Sequence, residues 1–209
     1  MSLSPPAVDR HEDVTGVVLA GGRATRMGGV DKGLVSIHQR PMIRYVIDAL
    51  QPQVTALLLN ANRSHDSYRE FGLSVIADAD HDFRGPLAGF ASGMRAAQTP
   101  YIAVAPCDSP LLCSDIVQRL YGALKVEGSR IAVAHDGSRL QPVFVLLDCT
   151  LLDDLAGHLA AGERKIDHWY ATHGYAVADC SDVLPAIAMI AAVNTDIWSY
   201  RATCTFATW

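Results

Sequence analysis

Apolar residues along the chain fall into two rhythms. Short, nearly unbroken runs at residues 17–20, 54–59, 73–77, 101–105 and 130–134 stop at Gly, Pro, Asn, Asp or turn residues. Such runs read as strands buried on both faces of a parallel sheet. Between them the apolar positions recur at helical spacing. Met42, Ile43, Val46, Ile47 and Leu50 follow Pro41, which suits a first turn. A loop across 80–89 leads into a helix that passes Met94 and ends near Ala97. Ile116, Val117, Leu120, Tyr121 and Leu124 mark another helix, and Leu151, Leu155 and Leu159 one more, closed by Ala160-Ala161-Gly162. A short polar helix is expected after Ser64 and a further helical turn across 163–170. This alternation predicts an α/β domain of three layers around a mostly parallel sheet. It breaks once, where 135–138 carry turn chemistry and 141–147 return as an antiparallel partner. Residues 175–177 and 187–193 are candidate late strands, and Asn194 or Thr195 caps a short helix after them.

With 209 residues, the chain suits one domain with a substantial core. Residues 1–13 are polar and lack the apolar centre of a secretory signal, so they read as a flexible leader. Residues 14–200 form the domain, and 201–209 are a tail with no assigned role. The formal net charge of −5 argues against a nucleic-acid surface, which requires broad basic faces. An anionic ligand must therefore meet a local basic pocket. Cys107, Cys113, Cys149, Cys180 and Cys204 are scattered without a Cys-x-x-Cys pair, against a zinc cluster or a disulfide framework. Reduced thiols point to the cytoplasm. No apolar run approaches the roughly 20 residues of a bilayer span, so the expectation is a soluble protein without a membrane partner.

The densest candidate chemistry is at residues 14–32. An apolar run stops at Gly21-Gly22, Gly28-Gly29 follow, and Arg23, Arg26 and Lys32 add charge within the same segment. Glycines let several backbone N–H groups face one anion. The spacing fits neither Gly-x4-Gly-Lys-Ser/Thr nor Gly-x-Gly-x-x-Gly, so this is a phosphate loop of a third type. Three strands end in Asn60, Asp78 and Asp108, and an open α/β sheet gathers such ends at one edge, where ligands bind. Each of these residues also has a plain reading as a turn or cap residue. Asp108 stands between Pro106 and Pro110 and offers the oxygen ligand that Mg2+ prefers, alongside substrate phosphates.

The order Leu19-Ala20-Gly21-Gly22-x3-Arg26-Met27-Gly28-Gly29-x-Asp31-Lys32 resembles the signature of the nucleotidyltransferases that activate sugars and cofactors. Its Gly-Gly-Val-Asp-Lys portion is most similar to the molybdenum cofactor guanylyltransferase family. Gly85-Pro86-Leu87-Ala88-Gly89 and Cys107-Asp108-Ser109-Pro110 extend the match. The resemblance implies a Rossmann-like nucleotidyltransferase fold, with a nucleotide-binding first half and an acceptor-binding second half. It implies transfer of GMP from GTP to the terminal phosphate of molybdopterin, with pyrophosphate released and transient contact with molybdoenzymes or their chaperones. Leu19, Ala20 and Gly21 would meet the nucleotide through backbone, Lys32 its phosphates, Asn60 and Asp78 the guanosine, and Asp108 the Mg2+. Arg26 is assigned to the leaving pyrophosphate. Asp136, Gln141, Arg164 and Asn194 would face the acceptor; Asp136, Gln141 and Arg164 equally suit a hairpin turn, a strand edge and a solvated helix start. The family's Asn-x-Asn-Thr is half present, with Ala192 in its first place. A cytidylyl or sugar-phosphate transferase of the same fold, and a non-catalytic nucleotide or pterin carrier, are the alternatives.

Overall fold

The continuous apolar runs become the strands of one seven-stranded sheet in a computed structural model that describes residues 9–20, 31–79 and 85–182. In chain order the elements begin with β1 (His11–Leu19), a 3-10 turn at Lys32–Leu34, and the small ribbon of β2 (Ser36–Ile37) and β3 (Arg40–Pro41). Next are α1 (Met42–Leu50), β4 (Val54–Asn60), α2 (His65–Arg69), β5 (Ser74–Ile76), α3 (Pro86–Ala96) and β6 (Tyr101–Pro106). The second half holds α4 (Ile116–Glu127), β7 (Ile131–His135), β8 (Leu140–Asp148), α5 (Leu152–Ala160), α6 (Ile166–His173) and β9 (Ala176–Asp179).

Strand order is β5-β4-β1-β6-β8-β7-β9. Every pairing in this sheet is parallel except those of β8, which runs against both β6 and β7. The expected antiparallel partner of β7 is thus also wedged beside β6, deep in the sheet. Successive side chains of a strand point to opposite faces, and the burial pattern follows that period. Val14 and Val18 of β1, Ala103 and Ala105 of β6, and Ala132 and Ala134 of β7 join α1, α2 and α4 in one core. Val17, Ile102, Val104, Ile131 and Val133 join α3, α5 and α6 in the other. Two cores on two faces make the three layers.

Some boundaries differ from the reading of the apolar pattern. β1 begins at His11, inside the stretch assigned to the leader. Its polar residues are used laterally: Glu12 accepts from Thr55 Oγ1 at 3.0 Å, and Asp13 accepts from the Tyr121 hydroxyl at 2.6 Å. Hydrogen bonds between elements leave no apolar trace. Pro41 closes β3 and precedes α1, its extended backbone (φ −54°, ψ 137°) paired with Ser36. Residues 163–165 are not helical, and α6 starts at Ile166, the first buried residue of that segment. The candidate strand at 187–193, the Asn194 cap and the 201–209 tail lie outside the described residues. Among the described residues no helix is long and apolar enough to cross a membrane.

Candidate active site

After β1 the chain moves outward through β4 to β5, then returns through α3 to place β6 on the other side of β1. The order of strands therefore reverses between β1 and β6, the position at which open α/β sheets bind ligands beyond their carboxyl ends. Backbone pairing continues for one residue past these strands. Ala20 N–H donates to Asn60 O at 2.8 Å, and Cys107 N–H donates to Leu19 O at 3.0 Å. Asp108 is the next residue beyond this pairing. Leu19, Ala20, Asn60 and Asp108 are thus brought to one edge, as the apolar pattern predicts.

Lys32 returns to the same place through the 3-10 turn. Its Nζ lies 3.4 Å from Asp108 Oδ2, with the two side chains 35% and 34% exposed. At that exposure an ion pair adds at most about 1 kcal/mol to the fold. The pair is a half-open cation and carboxylate, available to a ligand. Cys107 beneath it is buried; burial first, then the charges of Asp108 and Asp31, push its thiol well above the usual range. It stays neutral and is no nucleophile.

Residues 31 and 33 are pressed into the protein on either side of Lys32. Asp31 is 8% exposed, accepts a short hydrogen bond from the Tyr68 hydroxyl through Oδ1, and faces Arg63 Nε with Oδ2 at 3.6 Å. Burial, then the neighbouring Cys107 and Asp31, keep the Tyr68 phenol protonated and hence a donor. Gly33 has no room for a side chain, since a Cβ would sit 2.8 Å from the Tyr68 hydroxyl oxygen and 3.2 Å from Cys107 Sγ.

A second cluster occupies the ends of β4 and β5. Asp78 Oδ1 accepts from Asn60 Nδ2 at 2.9 Å and from Ser92 Oγ at 3.2 Å, while Oδ2 accepts from Asn62 Nδ2 at 2.7 Å. Asn62 Oδ1 in turn accepts from the Asp78 N–H at 2.8 Å. Two buried side chains expected to share a ligand thus touch each other. Among the described residues Oδ2 has no other donor. Helix α3 reaches this cluster through Gly89, where a Cβ would meet both Asn60 Oδ1 and Leu19 Cδ2 at 2.7 Å.

Because β8 runs against its neighbours, its first residues and the last of β7 share this edge. Asp136 caps the hairpin between them: its Oδ1 accepts from the N–H groups of Ser138 and Arg139 at 2.8 Å, and Oδ2 accepts from Gln141 Nε2 at 2.6 Å. Partial burial pulls the other way, yet these donors hold its carboxyl below the usual range. Arg164 is exposed ahead of α6. Gly21, Arg26 and Asn194 lie outside the described residues. Arg63, Tyr68 and Ser92 escaped the reading of the sequence, and Asn62 was given no role in it. Asn62 shares the polar end of β4 with Asn60, a usable signal, whereas the other three meet their partners only through tertiary packing.

Among the described residues no group of three His, Cys, Asp or Glu side chains is set to hold a metal ion. Asp108, a single carboxylate with one lysine partner, fits a hard cation that takes most of its ligands from phosphates and water.

A family model described as the MobA-like NTP transferase domain matches residues 16–177. A protein of Shewanella sediminis (strain HAW-EB3), named molybdenum cofactor guanylyltransferase, is 52% identical over 169 residues, 81% of this chain and 86% of that protein. Its namesake from Shewanella halifaxensis (strain HAW-EB4) is 51% identical over 169 residues, 81% of this chain and 84% of that one. The crystal structure of molybdopterin-guanine dinucleotide biosynthesis protein A from Archaeoglobus fulgidus shares the fold, with TM-score 0.65 over 88% of each chain at 17% identity. With its strand order, its reversal point and this match across most of its length, the chain belongs to the MobA-like NTP transferase family.

Proposed function

We propose that this chain transfers GMP from GTP to the terminal phosphate of molybdenum-loaded molybdopterin, releasing pyrophosphate. The observation that carries the reading is the half-open Lys32–Asp108 pair at the sheet's reversal point, 3.4 Å apart, in a chain half identical to proteins named for that transfer. An oxygen of the acceptor phosphate bonds to the α-phosphorus as the bond from that phosphorus to the β-phosphate bridging oxygen breaks. The bridging oxygen departs with pyrophosphate.

The attacking phosphate is already ionised near neutral pH, since its second pKa is about 6. The reaction then needs no general base, and the neutral Cys107 thiol beside the site offers none. The difficulty is holding two anions in line, so positioning and positive charge dominate. Lys32 takes the nucleotide phosphates, and Arg26 is assigned to the pyrophosphate. Asp78 accepts from a guanine N–H while Asn60 holds its orientation. Asp108 would hold a Mg2+ ion, whose charge would offset that of the phosphates. On the far side of the edge, Asp136, Gln141 and Arg164 are assigned to the acceptor, as is Asn194. From β4 to β8 is three strand spacings, about 14 Å, a span that separates a base from an acceptor. The product would pass to molybdoenzymes in the cytoplasm.

The test is pyrophosphate release with Mg2+, molybdate-loaded molybdopterin and each of GTP, CTP, ATP and UTP in turn. Release with GTP alone, dependent on Mg2+ and lowered about 10²–10³-fold in Asp108→Asn, is expected. Preference for CTP moves the protein to cytidylyl transfer. Tight GTP binding without release makes it a carrier.

A further inference from the structure

We propose that Asp31 and Arg63 are a positioning pair that fixes Lys32 and neutralises the ground beneath the nucleotide's phosphates; this rests on the guanylyl-transfer reading. Among the described residues, Asp31 Oδ2 and Arg63 Nε are both buried without a hydrogen-bond partner, yet face each other at 3.6 Å. Neither belongs to the substrate-contacting set above. A buried carboxylate next to a triphosphate site is costly unless a cation balances it, and Arg63 is the cation opposite it.

The pair also joins two parts of the site. Asp31 precedes Lys32, whereas Arg63 follows Asn60 and Asn62 at the end of β4. Tyr68 on α2 completes the link, since its hydroxyl donates to Asp31 and lies 3.4 Å from Ala20 O at the end of β1. Gly33 lets the 3-10 turn settle against that same hydroxyl. Lys32 is thus held from both neighbouring residues, and its position is tied to the loop that carries the base-site asparagines.

The charge balance gives the pair a signature that packing alone lacks. Arg63→Gln leaves Asp31 buried and uncompensated beside the phosphates, while Asp31→Asn with Arg63→Gln removes both charges and keeps the shapes. Calorimetric binding of GTP and of GMP to the full chain with Mg2+ gives the preference for the triphosphate. The expected result is a fall of about tenfold in that preference for Arg63→Gln, with most of it recovered in the double variant, as contacting charges couple. Tyr68→Phe should lower the preference severalfold and serves if Arg63→Gln fails to fold. An unchanged preference in Arg63→Gln and Tyr68→Phe overturns the proposal. A loss in Arg63→Gln that the double variant does not recover also overturns it, making Arg63 a direct phosphate ligand. If the native chain does not favour GTP over GMP, the guanylyl-transfer reading itself fails, and the proposal with it.

Discussion

At the scale of single residues, the site separates groups that hold the fold from groups left open to a ligand. Lys32 and Asp108 are about one-third exposed and bond only weakly to each other. Lys32→Ala and Asp108→Asn should therefore each lower turnover by about 10²–10³-fold, the usual cost of removing one preorganised charge or donor. Their melting temperatures should stay within about 4 °C of the native value, because a partly exposed pair contributes at most about 1 kcal/mol. Steady-state pyrophosphate release and thermal melts of the same preparations check both halves. Asn62 is the reverse case, bound to Asp78 through both its amide atoms. Lys32 and Asp108 were legible because their neighbours form a motif. Arg63 and Tyr68 were not, because their partner Asp31 lies over thirty residues away in the chain.

At the scale of elements, α3 is the piece that presses the site together. Gly89 stands where a Cβ would be 2.7 Å from both Asn60 Oδ1 and Leu19 Cδ2, so Gly89→Ala must displace these side chains or the helix. We expect a loss of about 1–3 kcal/mol in stability, as for other overpacked positions, together with weaker GTP binding. Among the described residues, nothing lies within 4 Å of the same added atom at Gly122 on α4. There Ala replaces a poor helix former in open space and should stabilise by about 0.5–1 kcal/mol. Urea unfolding of the two variants reads the opposite signs. A glycine inside a helical pattern looks alike in both places along the sequence. Only the packed neighbour tells them apart.

At the scale of the whole molecule, titrating groups bound the pH range of stability from both sides. Hydrogen bonds from Trp169 and His173 hold Asp154 below the usual carboxylate range, and those from Ser181 and Arg119 do the same for Asp179 and Asp182. A depressed carboxylate stabilises the fold above its unfolded value near 3.9, and that contribution fades as pH falls below it. The thiols work in the opposite sense. Burial pushes Cys113 up to about 12 and Cys149 and Cys180 up to about 11. Their stabilisation is complete below the unfolded value near 8.5 and is lost as pH rises toward 11. Melting temperature against pH should show a plateau between about pH 5 and 8 with a decline on each side. Replacing Cys149 with Ala should shallow the alkaline decline and leave the acidic one unchanged.

Much of this architecture was determined by the sequence alone, because each element's signature is local. The unbroken runs of β4 and β6, the helical stripe of α1 and the turn residues before β8 all act within a few bonds of one another. Asn60 at the end of β4, and Asp78 and Asp108 just beyond β5 and β6, were legible for the same reason, while most of the glycine-rich loop lies outside the described residues. The tertiary structure alone decided how these parts meet. It placed β8 between β6 and β7, drew the polar residues of His11–Leu19 into the sheet, and set Asp78 against Asn60, Asn62 and Ser92. It also buried Asp31 between Tyr68 and Arg63. Such contacts join residues distant in the chain, and they are settled by the competition among all strand pairings and packed faces at once. No single stretch carries that information.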